Sequence, residues 1–175
     1  MIGPLGRRHA AVLAALAAGA ITAIAVQSPA LAADFSAPYT CTSPLLGTQA
    51  ATIDGTLTAT PNPAAAGSPV GFALHFTKVS LTAPLTISSW SISTVLQVSG
   101  AESAQFTVTG TGGTVPANTP ISGDLAGTFT PTVAGVDQIQ GGAVTVKANV
   151  FLLGTITVNC TAVQPGPVGE TLTVN

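Results

Sequence analysis

The sequence predicts an all-β protein: an antiparallel, immunoglobulin-like β-sandwich of about seven to nine strands with one disulfide, preceded by a signal peptide. Three observations predict it. Short segments alternate apolar and polar residues with period two, the pattern of half-buried strands. Clusters rich in Gly, Pro and Asn punctuate those segments as turns. Ala, Thr, Gly, Val and Pro dominate the chain, while Glu, Lys, Arg and Met are scarce, a bias toward strands and away from helices.

The first element is a leader. Arg7 and Arg8 form a positive start, Ala10 to Val26 is an unbroken apolar run, and Gln27-Ser28-Pro29 breaks it. Ala30-Leu31-Ala32 then supplies the small-x-small pattern of a signal-peptidase site, so cleavage is expected after Ala32. The run is short and Ala-rich for a membrane span. His9, Ala10 and Ala11 lack the bulky apolar pair of a twin-arginine signal, which leaves the general secretory route. The first cysteine, Cys41, follows Pro38-Tyr39-Thr40 and not a lipobox. The expected organisation is a signal peptide over 1–32, a β-sandwich over 33–163, and a C-terminal tail or edge strand over 164–175. The expected location is secreted, extracellular or at the cell surface, with no membrane span after cleavage.

Residues 33–175 suit one domain, long enough to bury roughly 68–70% of its unfolded surface. Their only bases are Lys78 and Lys147, against Asp34, Asp54, Glu102, Asp124, Asp137 and Glu170. A basic footprint for nucleic acid or anionic lipid is absent from this balance. Plentiful Val, Ile, Leu and Phe at regular positions separate the chain from charged, disordered sequences.

The strand segments follow in order. Thr52–Thr60 puts Ile53, Leu57 and Ala59 on one face, and Val70–Thr77 puts Val70, Phe72, Leu74 and Phe76 inward. Trp90, Ile92, Leu96 and Val98 share a face, then Ala104, Phe106 and Val108, then Leu125 and Phe129. Val144, Val146, Ala148 and Val150 precede a last set of Ile156, Val158, Cys160 and Ala162. Pro165 and Pro167 lead to Thr171–Val174, the candidate edge strand or tail. One phrase recurs: Gly55-Thr-Leu-Thr-Ala-Thr, Gly127-Thr-Phe-Thr-Pro-Thr and Gly154-Thr-Ile-Thr-Val-Asn. Its uneven spacing is not a solenoid period. It reads as strand vocabulary, with Thr facing water, in preference to a flat Thr array for a repetitive ligand.

Cys41 shares a strand face with Tyr39, and Cys160 with Ile156 and Val158. Two cysteines in an exported chain predict a disulfide between Cys41 and Cys160. Cys-x-x-Cys redox spacing is absent, and zinc needs more ligands than the pair and His75 provide. The order Cys41, Trp90, Cys160 invites comparison with immunoglobulin domains, but the cysteines are far apart and Tyr39 precedes the first of them, so only the architecture carries over. The run from Tyr39-Thr-Cys41-Thr-Ser-Pro-Leu-Leu-Gly-Thr-Gln49, the Thr-rich alternating strands and the closing Val158-Asn-Cys-Thr161 resemble secreted actinobacterial β-rich domains of unknown function. The resemblance implies fold and export, and brings no activity or catalytic residues.

Candidate chemistry is sparse. His75 is the one His after the leader, on the outward face of its strand with no evident charged partner in the sequence. No Gly-x-Ser-x-Gly elbow accompanies the Ser residues, and scattered acids form no glycosidase pair. Asp124 and Asp137 are the acids to consider for calcium, with too few companions. Gly110-Thr-Gly-Gly-Thr114 lacks the Lys and helix of a phosphate loop. Asn159-Cys160-Thr161 fits a glycosylation sequon inside a buried strand. No catalytic, metal or cofactor residue is therefore assigned. The expected function is a secreted, non-enzymatic extracellular or cell-envelope module whose ligand is unknown, with an envelope polymer or protein as the candidate partner. One alternative is a carrier holding an apolar ligand between the sheets, in a cavity lined by Phe72, Phe76, Phe106 and Phe129. The other is a secreted hydrolase whose pocket converges on His75 and an acid.

Overall fold

The computed structural model describes residues 33–164 and 166–175; the leader expected over 1–32 lies outside them. Nine strands and no helix form among the described residues: β1 (Ala33–Ser43), β2 (Gly47–Thr60), β3 (Val70–Val79), β4 (Ile87–Gly100), β5 (Ala104–Gly112), β6 (Gly123–Phe129), β7 (Gly135–Val150), β8 (Gly154–Ala162) and β9 (Val168–Val174). The alternation sets the inward faces. Val70, Phe72, Leu74 and Phe76 of β3 are all buried, as are Trp90, Ile92, Leu96 and Val98 of β4. Outward positions on the same walls carry Ser91, Ser93, Thr109, Thr111, Lys147 and Asn149. An apolar interior and a hydroxyl-rich exterior are the reverse of a lipid-spanning barrel.

All strand pairs are antiparallel and belong to one sheet, in the order β4-β5-β6-β3-β2-β1-β8-β7-β9. β4 also pairs with β7 from Ile87 opposite Val150 to Gly100 opposite Asp137. That second ladder returns the sheet to itself, so eight strands form a ring and β9 extends from β7. The two separate sheets expected from the sequence are thus joined. The joints are uneven: β5 meets β6 only at Thr109 opposite Ala126, and β1 meets β8 only from Tyr39 to Thr42. Cys41 and Cys160 lie directly opposite one another in that second short joint and are bonded, with an S–S distance of 2.02 Å. Direct opposition on adjacent strands brings their Cα atoms to 3.9 Å, closer than the ~4.4–6.8 Å usual for disulfides.

β7 changes partner along its length. Val144–Val150 pairs with β8, and Gly135–Gln140 pairs with β9. The inward positions switch from Asp137 and Ile139 to Val144, Ala148 and Val150 across the irregularity at Gly141, as an inserted bulge residue requires. Residues 168–174, read as tail or edge strand, thereby place Leu172 and Val174 in the core. The link between β2 and β3 is tied to β9: the Ala64 amide donates to Thr173 O at 2.9 Å, and the Asn175 amide donates to Ala64 O at 2.8 Å.

Candidate functional site

Antiparallel registers put four connections at one end of the ring: the β1–β2 turn (44–46), the β3–β4 link (80–86), the β5–β6 link (113–122) and the β7–β8 turn (151–153). The two long links are bonded together. Ile87 and Val115 exchange backbone hydrogen bonds of 2.9 Å, and the Asn118 amide donates to Ala83 O at 2.8 Å. None of the four connections contains a charged residue. Six large apolar side chains are exposed there: Leu45, Leu46, Leu85, Phe151, Leu152 and Leu153. Phe151 and Leu152 are 77% and 88% exposed. In Leu152 the backbone itself is unusual, with φ at 68°. Clustered exposed apolar residues of this kind mark contact surfaces more often than chance exposure does.

Behind this end lies open space. A cavity of about 100 Å³ reaches inward from Leu45 and Leu46, between Leu81, Ile121, Ala148 and Ile156. A deeper one of about 50 Å³ lies between Phe35, Ile53, Phe76, Ile92 and Leu125. Val79, Val146 and Cys160 line both, so they stand at the boundary between the two. The space follows from the sequence: eight strands make an interior just wide enough to fill, and Ala37, Ala148, Val146 and Val158 are short where longer side chains would fill it.

Two hydroxyl-bearing residues, Tyr39 and Thr94, are among those that line the deeper cavity. Both residues are only 4% exposed. Tyr39 lies along the inner wall from β1 with its Oη against Gly141, where any side chain would collide with it. Burial pushes the Tyr39 hydroxyl up to about 12 from its ordinary 10.0.

The sequence-stated candidates are distributed differently. The Cys41–Cys160 disulfide sits in the wall, where Cys41 borders the outer cavity and Cys160 borders both. His75 does have a charged partner, because the β3–β6 register sets Asp124 opposite it. His75 Nδ1 and Asp124 Oδ1 are 2.6 Å apart, with the two side chains 53% and 82% exposed. Among the described residues, no serine, threonine or cysteine side chain bonds to this pair, so a nucleophile is not assembled. Asp137 is far from Asp124 in the ring, on β7 at the opposite end, and fully buried. Its Oδ1 accepts from the Glu102 amide at 3.0 Å, while Oδ2 has no partner among the described residues. Glu170 is buried at that same end, where Oε1 accepts from the Thr171 amide at 3.0 Å and from Asn62 Nδ2 at 3.3 Å. Desolvation raises the Glu170 carboxyl above its ordinary value, against the lowering effect of those bonds. No group of three metal-ligating side chains forms among the described residues.

The aromatic-lined cavity envisaged for a carrier is filled. Phe72 and Phe106 have ring centroids 4.6 Å apart, and Phe106 stacks on Phe129 at 5.2 Å. Only Phe76 of that set borders open space. Close packing excludes a ligand among those three rings, and the volume lies instead along β1, β2 and β7. Sequence reasoning missed Tyr39, Thr94 and the mouth leucines as a set, because their proximity depends on ring closure. The exposed Phe151-Leu152-Leu153 triplet was the one local signal: three consecutive apolar residues where a turn belongs. No protein-family model matches the chain, and no curated protein matches it either.

Proposed function

We propose that the protein is an exported, non-enzymatic module of the extracellular space or cell envelope that carries an apolar ligand in its interior. The observation that carries this reading is the pair of neighbouring apolar cavities, the outer of them lined by the exposed Leu45 and Leu46 at a charge-free end. Export rests on the leader pattern ending Ala30-Leu31-Ala32, and agrees with a disulfide. Among the described residues, no helix is long and apolar enough to cross a membrane. The finer architecture we propose is an immunoglobulin-like sandwich, β1-β2-β3-β6 facing β5-β4-β7-β8. The shortness of the β5–β6 and β1–β8 joints supports that division.

Uptake of xenon, followed by its NMR shift, tests the interior directly. Xenon should exchange with the protein, and Ala148→Leu, which fills the outer cavity, should diminish the effect. A silent wild-type protein would refute the carrier reading. N-terminal sequencing of protein from the culture medium tests export: the chain should begin at Ala33 or its neighbour. An intact Met1 end confined to membranes would refute it. Retained activity-free behaviour toward esters and glycosides is expected, since the exposed His75–Asp124 pair lacks a nucleophile.

A further inference from the structure

The β7–β8 turn carries a conflict that nothing inside the chain resolves. Phe151 and Leu152 are the two most exposed large apolar side chains among the described residues. Leu152 also holds φ at 68°, the left-handed region that suits Gly or Asn and disfavours other residues with a Cβ. A turn facing water alone would carry Asn or Gly there; Leu strains the backbone and exposes apolar surface together. Leu153 in the same turn, Leu45 and Leu46 in the β1–β2 turn and Leu85 in the β3–β4 link extend the exposed apolar set over three connections. The remaining exposed large apolar side chains are four valines elsewhere, all less exposed than Phe151 and Leu152. Charge is distributed to match. Lys78 and Lys147, both exposed, stand near the ends of β3 and β7 that lead into these connections. Asp54 lies opposite Lys78 in the β2–β3 register, and Asp124 pairs with His75, so this half of the molecule is close to neutral. The other four acids stand toward the opposite end: Asp34 at the start of β1, Glu102 in the β4–β5 turn, and Asp137 and Glu170 where β7 meets β9.

From this we infer that the loop end docks on the surface of a phospholipid bilayer, with Phe151, Leu152 and the neighbouring exposed leucines entering its interfacial region. The inference goes beyond the carrier reading and stands without it. A fluid bilayer receives projecting side chains wherever they stand, whereas a protein partner needs a complementary surface for each of them. Burial of apolar area from water drives the entry. No charged side chain in the four connections has to shed its hydration. The amides at the tips are already satisfied within the chain: Leu46 donates to Ser43 Oγ at 3.0 Å, and Leu153 donates to Val150 O at 3.1 Å. Peptide groups paired in this way enter an apolar medium at less cost. The near-neutral flank offers no polybasic attraction to anionic headgroups, and the remote acids keep their repulsion away from the contact. Docking should therefore be apolar in character and nearly indifferent to salt.

Flotation of the purified protein with phosphatidylcholine vesicles tests the docking. The wild-type protein should float with the vesicles at low and at high salt alike. Leu152→Asn should weaken the partition, and a Phe151→Ser, Leu152→Asn double variant should lower it by about tenfold or more, the scale of losing buried Phe and Leu side chains. Val136→Ser, at an exposed apolar position away from the loops, should leave it unchanged. Circular dichroism establishes that each variant is folded, and Leu152→Asn decides the matter should the double variant fold poorly. Wild-type protein that stays off the vesicles would overturn the proposal; if it also sediments as a dimer that the double variant dissociates, a second copy covers this end instead. Flotation that requires phosphatidylserine and disappears at high salt would overturn apolar insertion. Equal flotation of wild type and double variant would overturn the role of the β7–β8 turn. A silent xenon experiment with flotation retained would refute the carrier reading and leave the docking standing.

Discussion

Tyr39 is the only tyrosine in the chain, so its ionisation can be followed alone at 295 nm. Its folded-state value of about 12 exceeds its ordinary 10.0 because burial opposes the charged form. The associated stability, on the order of 3 kcal/mol, is fully present below pH ~10 and is lost as pH rises through about 12. Absorbance should therefore change together with unfolding, well above pH ~10; a titration near that value in an intact fold would show that the hydroxyl is accessible. His75 is the contrasting case. Its bond to Asp124 is exposed, and exposed pairs contribute little. His75→Ala should shift the denaturation midpoint by the equivalent of no more than ~0.5 kcal/mol, and a larger loss would mean that the pair supports the β3–β6 ladder. The sequence showed His75 facing outward but not its partner. Asp124 is distant in the chain, and only the register of β3 against β6 brings them together.

At the scale of elements, the recurring Gly-Thr phrase resolves into separate structural duties. At Gly127 a side chain would collide with Thr107 O, so the glycine lets β5 and β6 approach at their one shared ladder position. Gly127→Ala should force that joint apart and cost about 1–3 kcal/mol, as overpacking does; an unchanged urea midpoint would show that the strands separate freely. Gly154 instead closes the β7–β8 turn with φ at 72°. Leu152 in the same turn adopts φ of 68°, a conformation costing a residue with Cβ roughly 1–2 kcal/mol. Leu152→Asn should raise stability by about 1 kcal/mol, since Asn tolerates that region. Failure of the variant to gain stability in a denaturant titration would mean that the exposed leucine contributes packing the turn needs. Most strands were legible because one face of each is apolar. The first half of β7 was not: Asp137 occupies an inward position there, and the Gly141–Gly142 pair interrupts the alternation.

For the molecule as a whole, the disulfide fastens a short joint in the ring. It links residues separated by 119 positions, and loss of a native bridge of this kind typically costs about 2–5 kcal/mol. A Cys41→Ser, Cys160→Ser double variant should melt markedly lower, and mass spectrometry of the unreduced protein should find no alkylatable thiol; two free thiols would contradict the bond. The sequence by itself determined most of the strands, their inward faces and the pairing of the only two cysteines, because period-two alternation and composition act locally. The tertiary structure decided that the ladders close on themselves, that β7 exchanges β8 for β9, and that the phenylalanines expected around a ligand pack on one another. It alone placed Tyr39 and Thr94 beside open space. Cavities arise from what remains unfilled between strands distant in sequence, and alternation along each strand records which side faces inward but not how much room is left there.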